Sequence, residues 1–347
     1  MKRPAAFAIP GDIATVTGGY IYERRLLGAL SELGHPMQHL RLGAGFPDPD
    51  AAETDDAVAQ MSALSPDIPV IVDGLVFGAL ETAGFAQVRA PVVAMIHHPL
   101  ALESGLAPAR AEQLFRTERD NLRLASHVVV PSPHTKRILV ERYGAPPEAI
   151  TIAPPGTDRP PSARRSPAAP PLILSVGILH PRKGHDILLR ALADLTGLDW
   201  QAVIVGKEHA PGEMQRLERL RDDLNLGGRV RLAGKIGDTE LDRLFREATL
   251  FALATRYEGY GMVFDEALSY GLPIVSCRVG AVPDTVPANA GLLVQGEDAK
   301  AFAAALDRLL TDNTLRQTCA ANATRAGRSL PGWPETGRIV SAVLDRL

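Results

Sequence analysis

Thr255-Arg256-Tyr257-Glu258-Gly259-Tyr260-Gly261-Met262-Val263-Phe264-Asp265-Glu266-Ala267-Leu268-Ser269-Tyr270-Gly271-Leu272-Pro273-Ile274-Val275 is the stretch on which the fold turns. It follows the apolar run Leu250 to Leu253, passes through a glycine-containing loop and enters a segment of helical spacing near Met262. That segment stops at Gly271, and the chain resumes as the apolar run Ile274-Val275-Ser276. Short runs that are apolar on both faces read as buried parallel strands, so the order here is strand, glycine loop, helix, strand. Gly259 and Gly261 let backbone approach a ligand closely, and free N–H groups at a helix start favour an anion such as a diphosphate.

The same alternation extends outward. Apolar runs recur at Phe7-Ala8-Ile9, Val70-Ile71-Val72, Val92 to Ile96, Val128-Val129-Val130, Leu172 to Val176, Ala202 to Val205 and Val230-Arg231-Leu232. Between them lie helical spacings such as Leu26, Leu27, Leu30 and Leu33 closed by Gly34, or Leu217, Leu220 and Leu224 closed by Gly227-Gly228. The fold class is therefore α/β. A proline-rich stretch from Pro154 through Pro160, Pro161, Pro167 and Pro170-Pro171, with Arg164-Arg165 inside it, reads as a stiff linker. The alternation starts afresh at Leu172, which predicts two Rossmann-like domains facing each other across a cleft, with ligands beyond the carboxyl ends of the strands. At 347 residues with 46% hydrophobic residues, the chain can fill two such cores.

Composition narrows the partners. A net charge of −3 without a basic stripe argues against nucleic acid. No run reaches the length of a membrane span and the start lacks a secretory pattern, so the expected location is the cytoplasm. Arg110, Arg116, Arg119 and Arg123 could meet anionic lipid, but Glu112, Glu118 and Asp120 interleave with them, which favours a solvated surface over peripheral membrane contact. Cys277 and Cys319 have no ligand-spaced neighbours and read as reduced core residues. Asp48-Pro49-Asp50 lies in a proline-rich acidic loop and reads as solvated, so no metal and no other cofactor is expected.

The stretch from Thr255 to Val275 resembles the signature of glycosyltransferase family 4, whose members have the two-domain fold called GT-B: a Glu, seven residues, a second Glu, glycines after the first and a Gly-x-Pro turn beyond. The resemblance is strongest over Leu172 to Val294. It implies that Glu258 contacts hydroxyls of a donor sugar and Glu266 those of the nucleotide ribose, with Gly259, Tyr260, Gly261, Met262 and Val263 around the donor. An ionised carboxylate can accept two hydroxyl donors, and such charge-assisted bonds are worth about 1.5 to 3 kcal/mol each. Arg182 and Lys183, in Pro181-Arg182-Lys183-Gly184, stand where the family carries cations that neutralise a departing diphosphate. Ile178 departs from the commoner pattern, which has Arg directly after the strand glycine.

By the same resemblance, Gly18-Gly19 is the first-domain loop that approaches phosphates and acceptor, and His97, with His98 as alternate, lies near the donor sugar and acceptor. Glu103 is a weaker acceptor-side candidate. Gly206-Lys207 and Gly234-Lys235-Ile236 are the expected holders of base and ribose. The family's last helix crosses back onto the first lobe, which gives expected domains of 1–160 plus 325–347 and of 161–324.

The reading is a retaining transferase that moves a hexose-type sugar from a nucleotide-diphosphate sugar to a small-molecule, glycan or lipid-linked acceptor. Three rivals stand beside it: a glycoside hydrolase using Glu258 and Glu266, a nucleotide-sugar epimerase, and a non-catalytic nucleotide-sugar binding protein. A nicotinamide-dependent dehydrogenase is disfavoured, because no Gly-x-Gly-x-x-Gly follows a strand.

Overall fold

A computed structural model describes residues 2–103, 105–160 and 165–347. Pro161 and Arg164 of the expected linker lie outside the described residues. The chain forms two compact units, Met1–Gly156 with Pro331–Leu347, and Thr157–Leu330.

Unit 1 contains β1 (Ala5–Pro10), β2 (Met37–Leu42), β3 (Val70–Asp73), β4 (Val92–Met95), β5 (His127–Val130) and β6 (Ile150–Ile152). They form one six-stranded sheet in the order β2-β1-β3-β4-β5-β6, and every pairing is parallel. Unit 2 contains β7 (Leu172–Val176), β8 (Gln201–Val205), β9 (Val230–Gly234), β10 (Ala248–Leu253), β11 (Ile274–Cys277) and β12 (Gly291–Val294). Its parallel sheet runs β12-β11-β10-β7-β8-β9.

Both orders reverse direction once. In unit 2 the chain moves outward from β7 to β9, returns to the far side of β7 as β10, and continues to β12. Such a reversal opens a crevice beyond the strand ends, where open α/β sheets bind ligands. The equivalent reversal in unit 1 lies between β1 and β3.

Burial on both faces explains the apolar runs. Leu172 and Leu174 of β7 enter one core with Phe251 and Leu253, while Ile173 enters the opposite core with Leu250 and Ala252. The three strands that no apolar run announces, β2, β6 and β12, are all edges of their sheets. Their neighbours cover them on one side only, so β2 alternates exposed and buried residues toward its end instead of reading as a continuous apolar block.

Several boundaries differ from expectation for local reasons. The helix Glu213–Asp223 ends before the glycine pair because Asn225 takes the left-handed conformation. The second crossover falls at Leu330, not near 325, because the helix Asn313–Ser329 is continuous and Gly327 packs against the carbonyl of Leu268. The helix Trp333–Leu344 belongs to unit 1, where Thr336 Oγ1 donates to the Pro154 carbonyl at 2.8 Å and Ser341 Oγ contacts His35 Nε2 at 2.8 Å. The first crossover falls between Gly156 and Thr157, where a Cβ on Gly156 would lie 2.2 Å from the Trp333 nitrogen.

Two polar segments also find structural partners. Asp50 caps the helix Ala51–Ser62 in a capping box with Glu53, and Asp48 pairs with Arg110 at 2.6 Å, so neither acid is merely solvated. On the helix Pro108–Leu122, Arg116 pairs with Glu112 and Arg119 with Asp120, but Glu118 is fully buried and does not belong to that surface. No described helix is long and apolar enough to cross a membrane.

Leu306, fully buried on the helix Ala299–Thr311, offers a direct check of the unit 2 core. Leu306→Ala is expected to destabilise unit 2 by about 2–5 kcal/mol, seen as an earlier unfolding transition in urea.

Candidate active site

The carboxyl ends of β7 and β10, side by side in the sheet, carry the two motifs singled out in the sequence. After β7 the chain turns through Gly177 and a short helical turn, Pro181–Lys183, that ends on Gly184 with φ +63°. Gly184 is required there, since a Cβ would sit 1.9 Å from the Ala254 carbonyl oxygen. The Lys183 stem then lies along Gly177, where an added Cβ would meet Lys183 Cδ at 3.3 Å.

After β10, Thr255 to Gly261 form the glycine loop, and Gly261, with φ +89°, starts the helix Met262–Ser269. Glu258 is fixed from behind: its carbonyl accepts from the Ala281 N–H at 2.9 Å, and a Cβ on Gly280 would collide with that carbonyl.

Lys183 Nζ donates to Glu258 Oε1 at 2.6 Å, joined by Thr255 Oγ1 at 3.0 Å, and Arg182 Nη1 lies 3.6 Å from Oε2. Arg182 also donates to the Tyr257 carbonyl at 3.1 Å. Burial alone pushes the Glu258 carboxyl up, but Lys183 and Arg182 beside it outweigh that and hold it below the usual carboxylate range. One carboxylate against two cations leaves this corner net positive. Below it, Arg256 donates to both oxygens of Asp186 at 2.9 and 3.0 Å, and its N–H donates to the Arg182 carbonyl at 2.8 Å, tying the two loops together.

Glu266, on the helix Met262–Ser269 that follows the Glu258 loop, keeps part of its surface exposed. Loss of water around it, together with the charges of Asp265 and Asp158, raises its carboxyl to about 7. Asp265, to which the motif gives no role, is buried: its Oδ2 accepts from Tyr260 Oη at 2.7 Å, and burial raises it to about 7 despite that bond. Its position between Phe264 and Ala267 on the buried face of the helix is the signal that could have found it. Met262 and Val263 begin this helix, and Gly259 lies in the loop before it.

Gly206 and Lys207 follow β8, and Lys235 and Ile236 follow β9, at the same edge of the sheet. Gly206 packs so tightly that a Cβ would lie 1.8 Å from the Gly177 carbonyl oxygen, while Lys207 and Lys235 are exposed.

The remaining candidates lie in unit 1. Gly18 opens the helix Gly18–Glu32, and Gly19 faces the His97 ring, 3.5 Å from Cδ2 for an added Cβ. His97 stacks edge-on against Tyr22 at 5.0 Å and places Nε2 3.6 Å from Glu23 Oε1. His98 Nε2 lies 3.9 Å from Glu103 Oε2. Among the described residues, Glu23, Asp73 and His97 are the one group of three whose ligand atoms lie close enough to hold a metal ion. The sequence motifs do not include Glu23 and Asp73, although Glu23 shares the apolar helix face with Leu26 and Leu30, and Asp73 ends a buried strand.

A family model described as Glycosyltransferase Family 4 matches residues 24–159, and one described as Glycosyl transferases group 1 matches residues 158–326. The chain belongs to glycosyltransferase family 4. Relatives named D-inositol 3-phosphate glycosyltransferase agree with this: that of Acidothermus cellulolyticus is 32% identical over 60% of the chain and 51% of its own length, and that of Mycobacterium bovis is 33% identical over 54% and 41%. The chain thus spans about half the length of the curated relatives it matches. Sucrose-phosphate synthase from Thermosynechococcus elongatus superposes with a TM-score of 0.86 at 23% identity, covering 99% of both chains. Anabaena HepE in complex with UDP-glucose superposes at 0.79 and 17% identity, over 99% of this chain and all of that one. The family member therefore has the GT-B fold expected from its motifs.

The raised Asp265 carboxyl has a defined stability signature. Because it binds a proton more tightly folded than unfolded, it costs stability as pH rises from about 4 through about 7. Asp265→Asn removes that cost, so thermal melts should show the variant gaining on the parent from pH 4 to pH 8. An unchanged difference across that range would refute the raised carboxyl.

Proposed function

We propose that the chain transfers a hexose-type sugar from a nucleoside-diphosphate donor to an acceptor hydroxyl, with retention at the anomeric carbon and without a metal ion. The observation that carries this reading is the Lys183–Glu258 pair at the direction reversal of the unit 2 sheet.

In the absence of donor, Glu258 balances one of the two cations, Lys183 and Arg182. A bound diphosphate offers Lys183 and Arg182 phosphate oxygens, while the sugar offers Glu258 hydroxyl donors. Both partners of the pair then exchange one charge-assisted contact for another, so neither is left buried and unpaired. The bond from the anomeric carbon to the diphosphate breaks as the acceptor oxygen bonds to the same face, and the acceptor proton passes to a donor phosphate oxygen. Lys183, Arg182 and the N-terminus of Met262–Ser269 meet the charge that grows on the leaving group. Glu266 accepts from the ribose hydroxyls, Gly206-Lys207 and Lys235-Ile236 hold the nucleoside, and Gly18-Gly19 with His97 serve the acceptor side.

The separated carboxyls, Glu258 lowered and Glu266 raised, would also suit the acid and base of a glycosidase. The two cations on Glu258 weigh against that, because a substrate without phosphate gives them no anion.

Thermal melts over UDP-, GDP- and ADP-sugars are expected to single out one donor, since saturation at about 100-fold over Kd stabilises the folded state by about 2.7 kcal/mol. With that donor, and with D-inositol 3-phosphate named by the aligned relatives heading the acceptor panel, Lys183→Ala should reduce turnover by about 100-fold to 1,000-fold. NMR of the product should show the donor's anomeric configuration. Turnover of simple glycosides without a nucleotide, or full activity in the Arg182→Ala, Lys183→Ala double variant, would end this reading.

A further inference from the structure

Unit 1 has its own group of ionisable side chains at its direction reversal. Glu23 comes from the helix that follows β1, Asp73 ends β3, and His97 follows β4. One ligand atom from each lies within 4.8 Å of the others. Glu23 and Asp73 are 1% and 4% exposed, with a carboxylate oxygen of each within 4.8 Å of the other.

Two buried like charges at such a distance do not both ionise, so one carboxyl of the pair carries a proton. Among the described residues no lysine or arginine pairs with either acid. The surrounding ionisable groups are Tyr20, Tyr22, Asp12 and His97, of which only the imidazole can bring a positive charge. Burial pushes His97 below its ordinary value, with Asp73 opposing, and burial raises Glu23 to about 7.

The His97 ring faces this pair. Its Nε2 is sealed from solvent and turned toward Glu23 Oε1 at 3.6 Å, although 23% of the side chain remains exposed. Tyr22, anchored by its hydroxyl on the Ala153 carbonyl at 2.8 Å, holds the ring edge-on.

We propose that Glu23 and Asp73 share one proton and, through the single negative charge that remains, hold His97 as the tautomer protonated on Nε2, which leaves Nδ1 to accept a hydrogen bond from a sugar or acceptor hydroxyl. Glu23 and Asp73 are positioning residues that act through the imidazole. The identity of the hydroxyl rests on the sugar-transfer reading, whereas the shared proton does not.

The test is nitrogen NMR of the histidine rings in the full chain, treated with a chelator and free of sugar, with the His97 resonance assigned by its loss in His97→Gln. The parent protein is expected to show Nε2–H between pH 6 and 8. Glu23→Gln with Asp73→Asn keeps both sizes and removes the pair's one negative charge, so the His97 titration midpoint should fall by about one pH unit, whereas Glu23→Gln alone leaves that charge on Asp73 and should move the midpoint little. Glu23→Leu removes the acceptor and should bring in the Nδ1–H form. An Nδ1–H tautomer in the parent, or an unmoved midpoint in the Glu23→Gln, Asp73→Asn double variant, overturns the proposal. So does uptake of one equivalent of Zn²⁺ that shifts the His97 signals at neutral pH, since the three side chains would then be metal ligands. Every readout is taken without donor, so failure here leaves sugar transfer to be decided separately, by donor binding in the thermal melts.

Discussion

A lysine and a glutamate, 2.6 Å apart across the one place where the unit 2 sheet changes direction, constrain much of what surrounds them. Removing either partner from such a pair leaves a charge in a site where water cannot replace the lost contact, at a cost of about 3–5 kcal/mol. The neighbouring structure is consistent with that demand. Gly177 yields space to the lysine stem, Gly184 lets the turn bend back against Ala254, Gly280 passes under the Glu258 carbonyl, and Thr255 supplies a second donor to the carboxylate. Four features that look like separate turn residues and a loop threonine thus share one cause.

How much of this is legible in the chain depends on whether a residue's role is local. The strands β7, β8, β10 and β11 are apolar on both faces because helices cover both, so their sequence announces them. The strands β2, β6 and β12 owe their conformation to a single neighbour, and nothing in Met37–Leu42 or Gly291–Val294 distinguishes them before that neighbour is known. The same holds for boundaries: Leu330 ends unit 2 because Gly327 meets Leu268 from a distant helix, a contact that proline or glycine punctuation cannot report.

The candidate site divides along the same line. Glu258, Glu266, Arg182 and Lys183 are legible because a loop between strand and helix keeps its residue types in a fixed spacing. Glu23, Asp73 and Asp265 are not, since each sits inside an element that otherwise reads as core. An acid among apolar neighbours is ambiguous in sequence, where it suggests a boundary or an exposed face. In three dimensions it becomes informative, because burying a carboxyl demands a cation, a proton or a donor.

The two units satisfy that demand in opposite ways. Around Glu258 the partners are permanent cations, so the carboxylate stays ionised and its corner is prepared for an anion. Around Glu23 the partner is another carboxyl, so the pair keeps a proton, and among the described residues the group that can add positive charge is an imidazole whose burial opposes it. A diphosphate would be attracted to the first arrangement and repelled by the second, whereas a neutral hydroxyl suits the second because it brings no charge. Charge alone therefore favours an anion at the Glu258 corner of unit 2 and an uncharged hydroxyl at His97 in unit 1.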